Sequence, residues 1–280
     1  PPLLITRHSC DANDITTWRD ADAPESAQSP IFVVAFPRSG TTLLEQALDA
    51  NPLLISMDEQ PFLQQIVDRV GDLGITYPAA LGKLSSKQCD ELRTHYGSLV
   101  ANKVTVGNGQ RLVDKNPLNL LRLPIIRRLF PHSPILLAIR HPLDVIASCY
   151  GQHFRAPEFA LLCKDPRTLA RGFTRCFDFW YAQAALLQPR VMELRYEALV
   201  SDFGTHMRSV AAFIGVPWND AMLHPAEQAR AKGYISTPSY SQVVEPVHSR
   251  AVDKWQAHRA ALAGAIEEIH PYLSRWNYRV

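Results

Sequence analysis

Pro37, Arg38, Ser39, Gly40, Thr41 and Thr42 stand where a short apolar run gives way to residues at helical spacing. Glycine lets a backbone approach a ligand closely, successive amides at such a turn converge on anionic oxygens, and the following helix start adds partial positive charge. Arg38 supplies a fork of donors and the two threonines supply hydroxyls, so the set can surround one tetrahedral anion. A glycine turn with threonine caps is the plain alternative. The GxxxxGK[ST] pattern is absent, because no lysine precedes Thr41, and this disfavours a nucleoside-triphosphate motor. Arg140, Asp144 and Ser148 mark a second strand-to-helix junction, with Asp144 and Ser148 four apart on one helical face. Arg140 and Ser148 are spaced to reach another phosphate; an Arg140–Asp144 pair beside a surface serine competes with that assignment.

Elements that could hold these residues follow from hydrophobic pattern. Ile31 to Phe36, bounded by Pro30 and Pro37, predicts a buried strand of a parallel sheet. Leu44, Ala47 and Leu48 recur at helical spacing, and Asn51 and Pro52 end that helix. Further helices are expected from Pro61, over 86–100, over 118–130 with a bend or restart at Pro124, from Pro142, over 166–188, over 203–214 and over 250–269. Strands are expected at 111–113, 134–139 and 191–194, with a loop-rich stretch at 224–249. Alternating strands and helices imply an α/β fold: a P-loop nucleotide-binding fold with a central, mainly parallel sheet flanked by helices.

The 280 residues fit one domain, 1–280, with 1–30 as an N-terminal extension or linker, the end of an upstream region. Composition is ordinary for a globular chain, at 46% hydrophobic and 20% charged. A formal charge of +2 means that any phosphate site must come from local clustering, which argues against a nucleic-acid polymer as partner. Five scattered cysteines form no CxxC pair, and the histidines include no HExxH set, so no metal is expected. Ser39 lacks a GxSxG elbow, which speaks against a Ser-His-Asp hydrolase. No signal peptide or membrane span is legible, and a cytoplasmic location is expected. The chain opens without methionine.

PRSGTTLLEQALDANP, from Pro37, resembles the 5′-phosphosulfate loop of the P-loop sulfotransferases, and IRHPLDVIAS, from Ile139, resembles their 3′-phosphate motif. ELRYEALV and PWNDAMLH are similar to later segments of that family. The likeness runs from about Ile31 to the end of the chain and is strongest to tyrosylprotein sulfotransferases and bacterial tetratricopeptide-linked sulfotransferases. It implies an enzyme that uses 3′-phosphoadenosine 5′-phosphosulfate (PAPS) as donor and releases adenosine 3′,5′-bisphosphate (PAP).

Role by role, the resemblance implies that Arg38, Ser39, Gly40, Thr41 and Thr42 hold the 5′ phosphosulfate, while Arg140 and Ser148 hold the 3′ phosphate. Tyr196 matches a family tyrosine near the nucleotide. Lys254, in VDKW, is a candidate for a further contact in the phosphate region, with a solubilising lysine on an amphipathic helix as the equal alternative. Glu59, in SMDEQP, takes the place of the family's general base, with Asp58 as local competitor. A carboxylate within reach of an acceptor hydroxyl can take its proton as the oxygen attacks sulfur. Lys115, in VDKNP, and Ser239, in TPSYSQVVEPVH, match residues that steady the bridging oxygen as it gains charge. Without the family, Lys115 reads as a solvated side chain beside Asp114, and Tyr196 as an aromatic packed at the sheet edge.

The acceptor is expected to be a small molecule, peptide or protein carrying a hydroxyl, with protein tyrosine the nearest family precedent. Aromatic walls including Phe62, Tyr77, Phe154 and Phe173 lie in the stretches that would read it. Two other functions fit parts of the pattern: a P-loop kinase or other phosphotransferase, and a nucleotide-binding scaffold without catalysis. A kinase would be expected to show a lysine-bearing loop and a magnesium partner, and the retention of both Glu59 and Lys115 argues against a scaffold.

Overall fold

A computed structural model describes residues 23–152, 154, 157–232 and 244–280, together with Cys10, Ile15 and Trp18. Five strands form one parallel sheet: β1 (Ile31–Ala35), β2 (Leu54–Ser56), β3 (Arg111–Lys115), β4 (Ile135–Ile139) and β5 (Val191–Arg195). Their order is β2-β3-β1-β4-β5, so the chain leaves β1 toward one edge and later returns to build the other. In such sheets the crevice beyond the carboxyl ends of the strands, where the order reverses, is the natural ligand site.

Both faces of the sheet are covered. Phe32, Val34, Leu112, Leu137 and Ile139 belong to one apolar cluster, whereas Ile31, Val33, Val113 and Leu136 belong to another. β1 and β4 are buried at every residue, which is why their sequences are unbroken apolar runs rather than alternating ones. The helices are α1 (Thr41–Asp49), α2 (Phe62–Asp72), α3 (Ser86–Ala101), α4 (Leu123–Leu129), α5 (Pro142–Tyr150), α6 (Pro157–Leu162), α7 (Pro166–Leu187), α8 (Tyr196–Ser201), α9 (Phe203–Ile214), α10 (Pro225–Lys232) and α11 (Ala263–Arg275). Leu44, Ala47 and Leu48 seat α1 against the sheet, as their spacing predicts.

Several elements differ from expectation. The sheet gains the edge strand β2, whose three residues are too few to register as a strand pattern. Residues 117–122 wind as a 3₁₀ turn before α4, with Pro124 in the first turn of the helix that it restarts. Pro225 opens a helix inside the stretch expected to be loop. The expected helix over 250–269 is replaced by a 3₁₀ turn, Lys254–His258, followed by α11. Asp144 of α5 is the reason: its carboxylate accepts the backbone N–H of both Asp253 and Trp255 at 2.9 Å, and Asp253 takes a left-handed φ of 59°. A distant carboxylate thus satisfies the amides that a longer helix would have capped or bonded itself. Among the described residues no helix is long and apolar enough to cross a membrane.

Candidate active site at the carboxyl ends of the strands

Each strand delivers one part of the site just beyond, or at, its carboxyl end: Arg38 to Thr42 after β1, Glu59 after β2, Lys115 on β3, Arg140 after β4 and Tyr196 after β5. Residues dispersed along the sequence therefore meet along one edge of the sheet.

The turn after β1 is built around left-handed backbone at Arg38, φ 73°, and Gly40, φ 90°. Holding a non-glycine residue there costs about 1–3 kcal/mol, a strain that persists only where surrounding contacts fix it. Ser39 Oγ donates to the Phe36 carbonyl at 2.8 Å, so this hydroxyl shapes the loop. Cys149 Sγ donates to the Pro37 carbonyl at 3.5 Å, and Arg38 Nε donates to Ser148 Oγ at 3.1 Å, bracing the loop against α5. At Gly40 a Cβ would fall 2.4 Å from the Tyr196 ring, so the glycine is required by both space and dihedral angle. Gly40 caps α1 with no side-chain hydrogen bond, leaving the amides of the first turn turned toward the crevice beside buried Thr41 and Thr42.

Arg140 completes this corner. Its Nη1 donates to the Arg38 carbonyl at 3.0 Å, its Nη2 donates to the Ala251 carbonyl, and its guanidinium carbon lies 4.8 Å from the centre of the Tyr196 ring. The Asp144 carboxylate is 3.7 Å away, and among the described residues the buried Arg140 Nε has no hydrogen-bond partner. Burial, together with the like charge of Arg140, lowers the Arg38 pKa from the ordinary arginine value, against the opposing pull of Glu59. Two guanidinium groups gathered over a glycine turn, one with an unused buried donor, suit a phosphate-bearing ligand. The cavity between them measures ≈ 50 Å³ and is lined by Arg38, Gly40, Thr42, Arg140, Tyr196 and the covering segment from Glu245 to Ala251. Glu245 pairs with Arg250, whose charge offsets its own, and lies 3.6 Å from His248 Nε2.

The other half of the site is an ionic chain. Lys115 Nζ donates to Glu59 Oε1 at 2.8 Å and lies 3.2 Å from Glu45 Oε2. Lys115 and Glu45 side chains are 0% exposed, whereas Glu59 is 39% exposed and stands at the mouth. Burial works to lower the Lys115 pKa, but the two carboxylates outweigh it and hold the ammonium above its usual range. Lys115 is therefore a buried cation rather than a solvated neighbour of Asp114. Asp114 points the other way from the strand, accepting from Tyr96 Oη at 2.7 Å and Asn119 Nδ2 at 3.2 Å, and burial pushes its carboxyl up to about 7. Asn116 Nδ2 donates to the Gln60 carbonyl at 2.9 Å, fixing the Glu59 loop against the end of β3.

The sequence-predicted residues thus fall into three groups. Arg38, Ser39, Gly40, Thr41, Thr42, Arg140, Ser148 and Tyr196 come together, with Ser148 bonded to Arg38, and Lys115 pairs with Glu59 rather than Asp58. Lys254 is exposed at the start of its 3₁₀ turn and is not among the residues lining the cavity. Ser239 lies outside the described residues. Glu45 went unrecognised in the sequence; the available signal was an acid four residues after Thr41, on the same helix face as the loop.

The profile described as "Sulfotransferase family" matches residues 30–220, and the chain belongs to that family. An uncharacterized protein of Aquifex aeolicus (strain VF5) is 28% identical over 252 residues, covering 86% of this chain but 32% of its own length. Protein-tyrosine sulfotransferase 1 of Danio rerio is 26% identical over 277 residues, covering 91% of this chain and 73% of its own. Among solved structures, the sulfotransferase domain of the Synechococcus PCC 7002 olefin synthase superposes with a TM-score of 0.56 at 23% identity, covering 91% of this chain and 98% of that one.

Proposed function

We propose that this chain transfers a sulfuryl group from PAPS to an acceptor hydroxyl, a tyrosine of a protein or peptide, by direct in-line displacement with Glu59 as general base. The observation that carries this assignment is the contact of Lys115 Nζ with Glu59 at 2.8 Å, which puts a cation and an exposed carboxylate side by side at one edge of the crevice. The acceptor oxygen forms a bond to sulfur as its proton passes to Glu59. The bond from sulfur to the bridging phosphate oxygen breaks, and its electron pair stays on that oxygen, where Lys115 offsets the new charge. Arg38 and the amides of the Ser39 to Thr42 turn hold the 5′ end of the donor; Arg140, with its unused Nε, and Ser148 hold the 3′ phosphate. Ser239 and Lys254 are assigned supporting contacts to the donor by resemblance alone. The tyrosine acceptor draws support from similarity over 91% of the chain to a protein-tyrosine sulfotransferase.

The test is incubation of the purified chain with PAPS and a library of tyrosine peptides, phenols, alcohols and amines, read by mass spectrometry. Sulfated tyrosine peptides are the expected product. Preference for an amine, or phosphoryl transfer from ATP with magnesium, would overturn the assignment.

A further inference from the structure

Glu45 lies in α1 among the buried Leu44, Gln46, Ala47 and Leu48, and its side chain is 0% exposed. Its carboxylate meets Lys115 Nζ, 3.2 Å from Oε2. A buried ion pair contributes little stability compared with well-packed apolar side chains, so packing alone does not explain a carboxylate here. What distinguishes Glu45 is the second charge on its partner: the same ammonium also holds Glu59.

We infer that Glu45 is a positioning residue for sulfuryl transfer: the permanent counter-ion of Lys115, which lets Glu59 release the ammonium as it takes the acceptor proton. This rests on the assignment of Glu59 and Lys115 made above. Two carboxylates share one cation. When Glu59 is neutralised by the acceptor's proton, Glu45 still compensates Lys115, and a buried charge is never left alone. With glutamine at 45, Glu59 becomes the sole carboxylate partner of Lys115 before transfer, so the anionic form of Glu59 is favoured and both its proton uptake and the turning of the ammonium toward the bridging oxygen are disfavoured.

The charged groups around Glu45 come from four elements. Lys115 and Asp114 belong to β3, Asp58 and Glu59 to the loop after β2, Lys232 to α10 and Asp49 to α1 itself. Lys232 is already committed, with Nζ 2.8 Å from both Asp49 Oδ2 and Ser56 Oγ, which leaves Lys115 as the counter-ion in contact with Glu45. Burial raises the Glu45 carboxyl overall, against the pull of Lys115 3.2 Å away, while Glu45 and Glu59 hold the Lys115 ammonium above its usual range; the contact itself makes Glu45 the buried counter-ion of that ammonium.

The test compares wild type, Glu45→Gln and Glu45→Asp by the pH profile of kcat at saturating PAPS, by PAP affinity and by melting temperature. Removing a negative neighbour favours the anionic form of Glu59, so in Glu45→Gln the acid limb of kcat moves to lower pH by ~1 unit. Its kcat falls ~10-fold or more as the base weakens, while PAP affinity stays at the wild-type value. Glu45→Asp keeps the charge and restores the limb. A limb that stays in place overturns the inference, as does a kcat loss matched by equal losses in PAP affinity and melting temperature. Carboxyl-carbon NMR titration of Glu59 in the PAP complex separates the two levels. No transfer by wild type defeats the functional assignment, whereas a Glu59 titration identical in wild type and Glu45→Gln defeats the role of Glu45.

Discussion

Arg38 Nε donates to Ser148 Oγ across 3.1 Å, and this bond joins the turn after β1 to the helix after β4. The two predicted phosphate contacts are thereby one connected corner, closed from the other side by Arg140 Nη1 on the Arg38 carbonyl at 3.0 Å. Ser148 thereby orients the first arginine.

Arg140→Ala is expected to weaken PAP binding by about 10- to 100-fold, the scale of one or two lost hydrogen bonds to a charged group. Single-turnover transfer at saturating donor should change little, because the reacting sulfur lies at the other end of the nucleotide. Calorimetry with PAP and with ATP checks the affinity. An unchanged PAP affinity, or equal binding of ATP, would remove Arg140 from the nucleotide site.

Asp114 gives a pH prediction with a definite sign. Its carboxyl is raised by burial to about 7, so at pH values between an ordinary aspartate pKa and about 7 the folded chain keeps a proton that the unfolded chain has lost. Across that window this group makes stability fall as pH rises, and above it contributes no further slope. Asp114→Asn removes the titration while leaving an acceptor for Tyr96, 2.7 Å from the native carboxylate. Urea midpoints measured from about pH 4 to 8 should decline more steeply for wild type than for Asp114→Asn; parallel curves would contradict the buried, protonated assignment.

How much of this was legible in sequence depends on how local the signal is. β1 and β4 were readable because burial on both faces leaves unbroken apolar runs. The Arg38 to Thr42 turn was readable because strand, loop and helix adjoin in sequence. β2 was missed because three residues at a sheet edge carry no period. The carboxyl-terminal helix was misplaced because Asp144, remote in sequence, takes the N–H groups of Asp253 and Trp255. Glu45 was invisible for the same reason: an acid in an amphipathic helix looks solvated until Lys115 arrives beside it from β3.

The central claim is that Glu59 takes the acceptor proton, and Glu59→Gln tests it most directly when compared with Asp58→Asn. Glu59 contacts Lys115 at 2.8 Å and is 39% exposed, so the amide keeps the size of the side chain while losing its basicity. Single-turnover transfer from PAPS to a sulfated-tyrosine-forming peptide, read by mass spectrometry beside PAP affinity, should fall ~10²- to 10⁴-fold in Glu59→Gln with donor binding retained. Asp58→Asn should transfer at close to the wild-type rate. Near-normal transfer by folded Glu59→Gln, or a selective loss in Asp58→Asn, would contradict the account.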